Sequence, residues 1–186
     1  RGGLRSRRAD DVEGETAKLL SEGAVIGWFQ GRMEWGPRAL GNRSILADPR
    51  RADVKNAINR KIKFREPYRP FAPSVQVEHV EDYFQFKGAS PYMTFVCRVR
   101  DDRKADIPAA THVDGTARIQ TVSREHNPGF WRLLDEFRAL TGLPVLLNTS
   151  FNVKGEPIVC SPDDAVSCFL KTELDYLVLG NHICTR

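Results

Sequence analysis

The sequence predicts an α/β domain built on a mixed sheet. Two observations carry that prediction. Short apolar runs of strand length are interspersed with amphipathic stretches of helical period, and a few of the strand candidates follow one another with no helix between them. With 186 residues, 41% of them hydrophobic, the chain suits one domain with a sizeable core. Residues 10–186 are assigned to that domain, and residues 1–9, basic and Gly-rich, read as a tail or interdomain linker.

The elements follow in order. Asp10 or Asp11 can cap a first helix with Val12, Thr16, Leu19 and Leu20 on one face, stopped near Gly23. Ala24 to Phe29 is an apolar run of buried-strand type. From Gln30 to Pro49 the chain is rich in Gly, Pro and Arg without lasting periodicity, and reads as one long loop. Arg51 to Ile62 is a second helix with Val54, Ala57, Ile58 and Ile62 inward. Pro67, Pro70 and Pro73 break up the stretch that follows, excluding helix and any central strand there.

A short helix is expected around Val77 to Tyr83, and Tyr92 to Arg100 alternates as a half-buried strand should. Asp101 to Asp106 is a charged turn and Ala117 to Val122 another strand. Phe130, Leu133, Leu134, Phe137 and Leu140 make the clearest amphipathic helix, ended by Gly142. Leu143 to Leu147 is a buried strand leading into a polar loop, Asn148 to Glu156. Ser161-Pro162-Asp163-Asp164 opens a last helix, with a cap, a proline at the first position and acids in the first turn. Tyr176 to Leu179 closes the chain as a strand.

Composition narrows the function classes. No apolar run approaches the roughly 20 residues of a spanning helix, and no signal-peptide pattern is present. The chain opens Arg1-Gly2-Gly3 and not with Met, so a fragment of something longer is expected. The widely spaced Cys97, Cys160, Cys168 and Cys184 suggest neither a zinc site nor a disulfide framework, and read as reduced, mostly buried thiols of a cytoplasmic protein. The net charge of +4 conceals an asymmetry, because Trp28 to Pro73 carries 11 basic residues against 4 acids. Twenty of the 28 basic residues are arginine, whose planar fork of donors matches phosphate or carboxylate oxygens. An anionic partner is the functional reading of this block, and a solvated face the bland one.

Four segments could carry chemistry. Gly31 to Ser44 (GRMEWGPRALGNRS) gathers Arg32, Arg38, Arg43 and the Ser44 hydroxyl on a glycine-bearing loop. Gly36 and Gly41 have the spacing of the P-loop glycines, but Asn42-Arg43-Ser44 replaces the Lys-Ser/Thr pair, so this is an anion-binding loop of another kind or a loop pinned by Arg–carboxylate pairs. In the second, Lys63 and Arg65 share one face if extended, and Arg69 joins them after a turn; a protected edge strand is the alternative. The third, Asn148-Thr149-Ser150-Phe151-Asn152, follows a buried strand, where α/β sheets place ligands, or else is an Asx-type turn; the nearby Glu156 suits a metal, a ribose or simple exposure. The fourth, Thr111 to Thr121, holds the Asp114-Gly115 turn and places Arg118 and Gln120 on one strand face. A triad of His112, Asp114 and Ser150 can be assembled on paper, yet no nucleophile-elbow pattern supports it, and His112 reads as a polar contact or a structural histidine.

These segments together resemble the C-terminal, YrdC-like domain of the O-carbamoyltransferases, the family of the nodulation-factor and antibiotic-carbamoylating enzymes. The carriers are GRMEWGPRALGNRSILADPR, KFREPYRPFAPSV, THVDGTARIQTV and LNTSFNVKGEPIVCSPDDA, within a similarity running from about Glu13 to Gly180. Lys63-x-Arg65 and Ser150-x-Asn152 also look like the KxR and SxN pair of YrdC-like nucleotide-binding domains.

The resemblance implies a twisted mixed sheet flanked by helices around a concave basic cavity. It implies carbamoyl phosphate and ATP as ligands, Mg2+ accompanying ATP, a carbamoyl adenylate intermediate, and an N-terminal Kae1-like domain of the same full-length protein that passes the carbamoyl group to a hydroxyl. Lys63, Arg65 and Arg69 would act as catalytic phosphate binders. Arg32, Arg38, Arg43, Ser44, Arg118, Asn148, Ser150 and Asn152 would hold substrate and nucleotide, with no resident metal site and no membrane contact. The rival reading is a nucleic-acid-binding module, in which Trp28, Trp35, Phe64 and Tyr68 interleave with arginines as stacking platforms. A third is a docking domain without chemistry.

Overall fold

The computed structural model describes residues 3–64, 66 and 68–186, so the side chain of Arg65 lies outside the described residues. The middle layer is an eight-stranded sheet in the order β1 (Arg5–Arg8), β10 (His182–Thr185), β9 (Tyr176–Leu179), β2 (Ile26–Phe29), β3 (Arg43–Ala47), β8 (Val145–Ser150), β4 (Ala72–Gln76) and β7 (Gln120–Val122). Two pairs, β2 with β9 and β4 with β7, are parallel, and the other pairs are antiparallel. A separate ribbon pairs β5 (Val96–Arg98) with β6 (Thr116–Arg118). The expected α/β fold, a mixed sheet flanked by helices, is therefore what the chain adopts.

Strand alternation sends side chains to two cores. Ile26, Trp28 and Leu46 face one cluster with helices α1 (Val12–Ser21) and α4 (Pro128–Thr141). Val25, Phe29, Ile45 and Ala47 face the other with α2 (Ala52–Lys61) and α5 (Pro162–Lys171). A one-turn helix, α3 (Val80–Tyr83), follows β4. In α4 the buried Phe130, Leu133, Leu134 and Phe137 each contribute about 1.5–3 kcal/mol of burial energy. Asn127 caps its start by accepting from the Phe130 N–H, and Gly142 ends it in the left-handed region at φ 77°. Asp11 caps α1, and Ser161 and Asp164 form a reciprocal capping box on α5.

Several expectations give way. The tail over residues 1–9 includes β1, whose four exposed residues pair with β10; its three arginines keep the sheet edge from recruiting another strand. The long loop from Gln30 to Pro49 contains a central strand, β3, buried on both faces and therefore without the alternation that marks a half-buried strand. Pro73 sits inside β4, between β8 and β7; the ladder to β7 begins only at Ser74, so the missing N–H falls one residue before it. The strand at Tyr92 to Arg100 shrinks to Val96–Arg98, and that at Ala117 to Val122 breaks into β6 and β7 around Ile119. The chain ends in a β9–β10 hairpin turning at Gly180-Asn181. All four cysteines are free; Cys168 and Cys184 are buried, Cys97 half-buried and Cys160 exposed.

Candidate functional site

A cavity of about 310 Å³ opens where the end of β8 meets the loop before β3, the segment before β4 and the β5–β6 ribbon. Arg38, Arg69, Arg118, His112, Asn148 and Ser150 line it, together with apolar groups such as Phe71 and Met93. Met93 holds its backbone in the left-handed region at φ 56°, a strain tolerated only where surrounding packing imposes it. None of Arg38, Arg69 and Arg118 has an ion-pair partner among the described residues. The Arg118 Nε is buried without a hydrogen-bond partner among the described residues. Burial first, and then the charge of Arg38, push the Arg118 guanidinium down from its ordinary value. Two like charges thus share this space, which an anion would relieve.

The Gly31–Ser44 loop is organised around its own acid. Glu34 accepts from the amides of Leu40 at 2.7 Å, Asn42 at 2.9 Å and Arg43 at 3.1 Å. Burial pushes its carboxyl up from the ordinary value, opposed by those three amides and by the Arg43 charge. Gly41 is required where the loop crosses α4, since a Cβ there would meet the Phe130 ring at 2.2 Å, and its carbonyl accepts from Trp28 Nε1. The alternative of a pinned loop is thereby realised, but by backbone amides and not by an Arg–carboxylate pair.

Not every expected arginine reaches the cavity. Arg43, 3% exposed, stacks on Phe29 at 3.6 Å and donates to the carbonyls of Gln30 at 2.7 Å, Asn42 at 2.9 Å and Gly31 at 3.3 Å. Its cation ties the loop together, and so it does not line the cavity. Ser44 is buried with its Oγ accepting from the Gly41 amide. Arg32 is exposed on the loop outside the cavity lining.

Lys63 does not line the cavity either, but supports it. It is 4% exposed, and its Nζ donates to Ser150 O at 2.5 Å, Asn152 Oδ1 at 2.7 Å and Asn152 O at 3.0 Å, with Ser150 Oγ at 3.2 Å. The lysine and the SxN pair therefore form one cluster, with Ser150 Oγ donating to Asn152 Oδ1 at 2.8 Å. A buried ammonium needs such acceptors, and here they hold its charge beneath the end of β8. Glu156 pairs with Lys171 at 3.2 Å.

Two side-chain networks complete the site. Asn148, 1% exposed, donates through Nδ2 to Gln120 Oε1 at 2.9 Å, Ser74 Oγ at 3.1 Å and Ala39 O at 3.2 Å. Ser74 Oγ in turn donates to Gln120 Oε1 at 2.6 Å, and Gln120 Nε2 donates to Leu40 O at 2.7 Å. His112 Nδ1 lies 3.0 Å from Thr116 Oγ1, which donates to Asp114 Oδ1 at 2.7 Å. That chain replaces the triad, since Asp114 reaches the ring through Thr116 and Ser150 is engaged with Asn152 and Lys63. Gln120 could be found in the sequence from its strand face shared with Arg118, and Glu34 as the lone acid between Gln30 and Ala47. Ser74 carries no sequence signal.

A family model described as "Carbamoyltransferase C-terminus" matches residues 17–186. The chain belongs to the carbamoyltransferase C-terminal family. Among curated relatives of this carbamoyltransferase domain, the nodulation protein NolO of Bradyrhizobium diazoefficiens is 53% identical over 182 residues, covering 96% of this chain and 33% of that protein. The 3'-hydroxymethylcephem-O-carbamoyltransferase of Amycolatopsis lactamdurans is 42% identical over 167 residues, covering 90% of this chain and 32% of that protein. The chain thus spans about a third of the length of these relatives. Of solved structures, HypF of T. kodakarensis superposes with a TM-score of 0.63 at 20% identity over 97% of this chain and 23% of HypF, a likeness of fold. Full-length HypF in a phosphate- and nucleotide-bound form gives 0.60 at 18% identity over 95% of this chain and 22% of that one. No helix among the described residues is long and apolar enough to cross a membrane.

Proposed function

We propose that the cavity binds carbamoyl phosphate and ATP and forms a carbamoyl adenylate for transfer to a hydroxyl acceptor. The observation that carries this reading is the set of three arginines, Arg38, Arg69 and Arg118, lining one cavity without carboxylate partners among the described residues. The family membership supports carbamoyl chemistry, and the phosphate and nucleotide held by HypF, a protein of like fold, support the choice of ligands.

Water divides carbamoyl phosphate into carbamate and inorganic phosphate. A carbamate oxygen then attacks the α-phosphorus of ATP, the bond to the bridging oxygen breaks, and pyrophosphate leaves. Negative charge builds on the α-phosphoryl oxygens and the leaving group, where fixed guanidinium donors stabilise it. Lys63 adds a buried charge through the Ser150–Asn152 cluster, and Arg65 is assigned beside it by its place in the KxR pattern. Mg2+ would ride on the polyphosphate and supply charge neutralisation there. The acceptor hydroxyl takes the carbamoyl group from the adenylate on a Kae1-like domain of the full-length protein, and AMP leaves. The reaction runs in the cytoplasm.

Calorimetric titration with carbamoyl phosphate, with and without ATP and Mg2+, alongside a pyrophosphate assay, tests this. Binding of both ligands, lost in Arg118→Ala and Arg69→Ala, is the expected result; a folded protein that binds neither refutes it. The nucleic-acid reading retains the fully exposed Trp35 and the exposed Phe64 and Tyr68, but Trp28 lies in the core. It predicts RNA or DNA binding that falls steeply with salt and is not displaced by ATP.

A further inference from the structure

Water is a poor nucleophile until something takes its proton, so the division of carbamoyl phosphate by water calls for a base. A cage of arginines cannot serve, because a guanidinium has no acceptor and stays charged. Among the described residues lining the cavity, His112 alone titrates near neutral pH.

The ring is held in one tautomer. Asp114 Oδ1 accepts from the Thr116 hydroxyl at 2.7 Å and from the Thr116 N–H at 3.0 Å, and these bonds keep its carboxyl below the usual range and ionised. With its one hydroxyl hydrogen committed to Asp114, Thr116 Oγ1 can only accept from His112 Nδ1, 3.0 Å away. Nδ1 therefore carries the proton and Nε2 the lone pair. Backbone bonds close the same turn, the His112 N–H donating to Thr116 O at 2.8 Å and the Gly115 N–H to His112 O at 3.0 Å. Nε2 has no hydrogen-bond partner among the described residues. Several charges face the ring. Burial first, then Arg118 on β6 and Lys55 on α2, lower its pKa from the ordinary 6.5 against the pull of Asp114. Arg38 and Arg69 line the same cavity. At pH 7 the imidazole is neutral and able to take a proton.

We infer that His112 is a catalytic residue of the water step, its Nε2 taking a proton from the water that attacks carbamoyl phosphate. This rests on the proposed function of the cavity. The water oxygen bonds to the carbonyl carbon, the bond from that carbon to the bridging oxygen breaks, and phosphate leaves with the electron pair. One water proton goes to Nε2 and the other to the departing phosphate, leaving carbamate and hydrogen phosphate. The imidazolium then returns its proton to solvent. Thr116 and Asp114 are positioning residues that act through the ring.

The test follows phosphate release from carbamoyl phosphate, corrected for its spontaneous decay, in the unmodified chain and in His112→Asn. Calorimetry with carbamoyl phosphate and inorganic phosphate measures binding in both. The expected result is a kcat about 100-fold or more lower in His112→Asn, with KM and inorganic phosphate affinity changed less than about twofold. The ratio of the two rates should shrink as pH falls below about 6.5, where the ring becomes protonated and stops acting as a base. Thr116→Val, which releases the ring, should lower kcat about tenfold, and Thr116→Ser, which keeps the hydroxyl, should restore it. An unchanged kcat in His112→Asn, or a rate ratio that does not move with pH, overturns the inference. So does an unmodified chain that binds carbamoyl phosphate yet releases phosphate no faster than buffer. That result needs no variant to fold and leaves the binding half of the proposed function standing. Failure to bind either ligand overturns both.

Discussion

Arg43 and Arg38 lie five residues apart on one loop and have opposite fates. Arg43 is buried against Phe29, its donors aimed at the carbonyls of Gln30, Gly31 and Asn42. Arg38 lines the cavity with no partner among the described residues. The same guanidinium serves as a strut where carbonyls converge on it and as an anion receptor where they do not. What separates them is Glu34, which gathers the amides of Leu40, Asn42 and Arg43 and so closes the loop with Arg38 on its outer rim. Positive charge in the sequence therefore says little until its partners are known.

The largest expected effect breaks this comparison on the stability side. Arg43→Ala should lower unfolding free energy by about 2–4 kcal/mol, because several buried carbonyls lose their donor at once. Arg38→Ala should stay within about 0.5 kcal/mol of the unmodified chain and weaken phosphate binding about tenfold or more. Urea unfolding and calorimetry on the two variants decide the matter; equal stability losses would erase the distinction. Lys63 falls between the classes, buried like Arg43 yet tied to a cavity residue. Lys63→Met should cost about 1–3 kcal/mol and weaken phosphate binding as well, the two losses appearing together in one variant.

The fold was largely legible in the sequence because its signals are local. The Asn127 cap, the Pro128 start and the Gly142 stop of α4 all lie within one segment, and so does the Ser161–Asp164 box of α5. What stayed hidden is non-local. β3 opens with Arg43 and Ser44, polar residues whose burial depends on carbonyls and amides brought in by the loop, and no periodicity reveals that. Pro73 is tolerated in β4 only because the β7 ladder starts one residue later. The site was legible at the level of segments: Arg38, Arg69, Arg118, Asn148 and Ser150 converge on one cavity, and Lys63 reaches the Ser150–Asn152 pair. The division of labour within it was not. Arg43 and Ser44 became scaffold, while Ser74, Gln120 and the Thr116 relay depend on side chains meeting across strands far apart in sequence.

The smallest effect sharpens the comparison from within the cavity. Thr116 has one hydroxyl hydrogen, directed at Asp114, so His112 Nδ1 must be the donor in its own hydrogen bond and Nε2 is the ring's remaining acceptor. Burial, aided by the charges of Arg118 and Lys55 and opposed by Asp114, lowers the His112 pKa from its ordinary value of 6.5. The unfolded chain therefore binds more protons than the folded one as pH falls through that value. Stability that is complete above about pH 6.5 is lost progressively below it, until the lowered folded-state pKa is reached. Between pH 7.5 and 5.5, above the range where most carboxylates titrate, the unmodified chain should lose a few tenths of a kcal/mol up to about 1 kcal/mol relative to His112→Asn. Urea midpoints of both proteins across that interval measure the difference. Parallel curves would mean that the ring stays as easily protonated in the fold as outside it, and that the cationic cavity does not extend its field to His112.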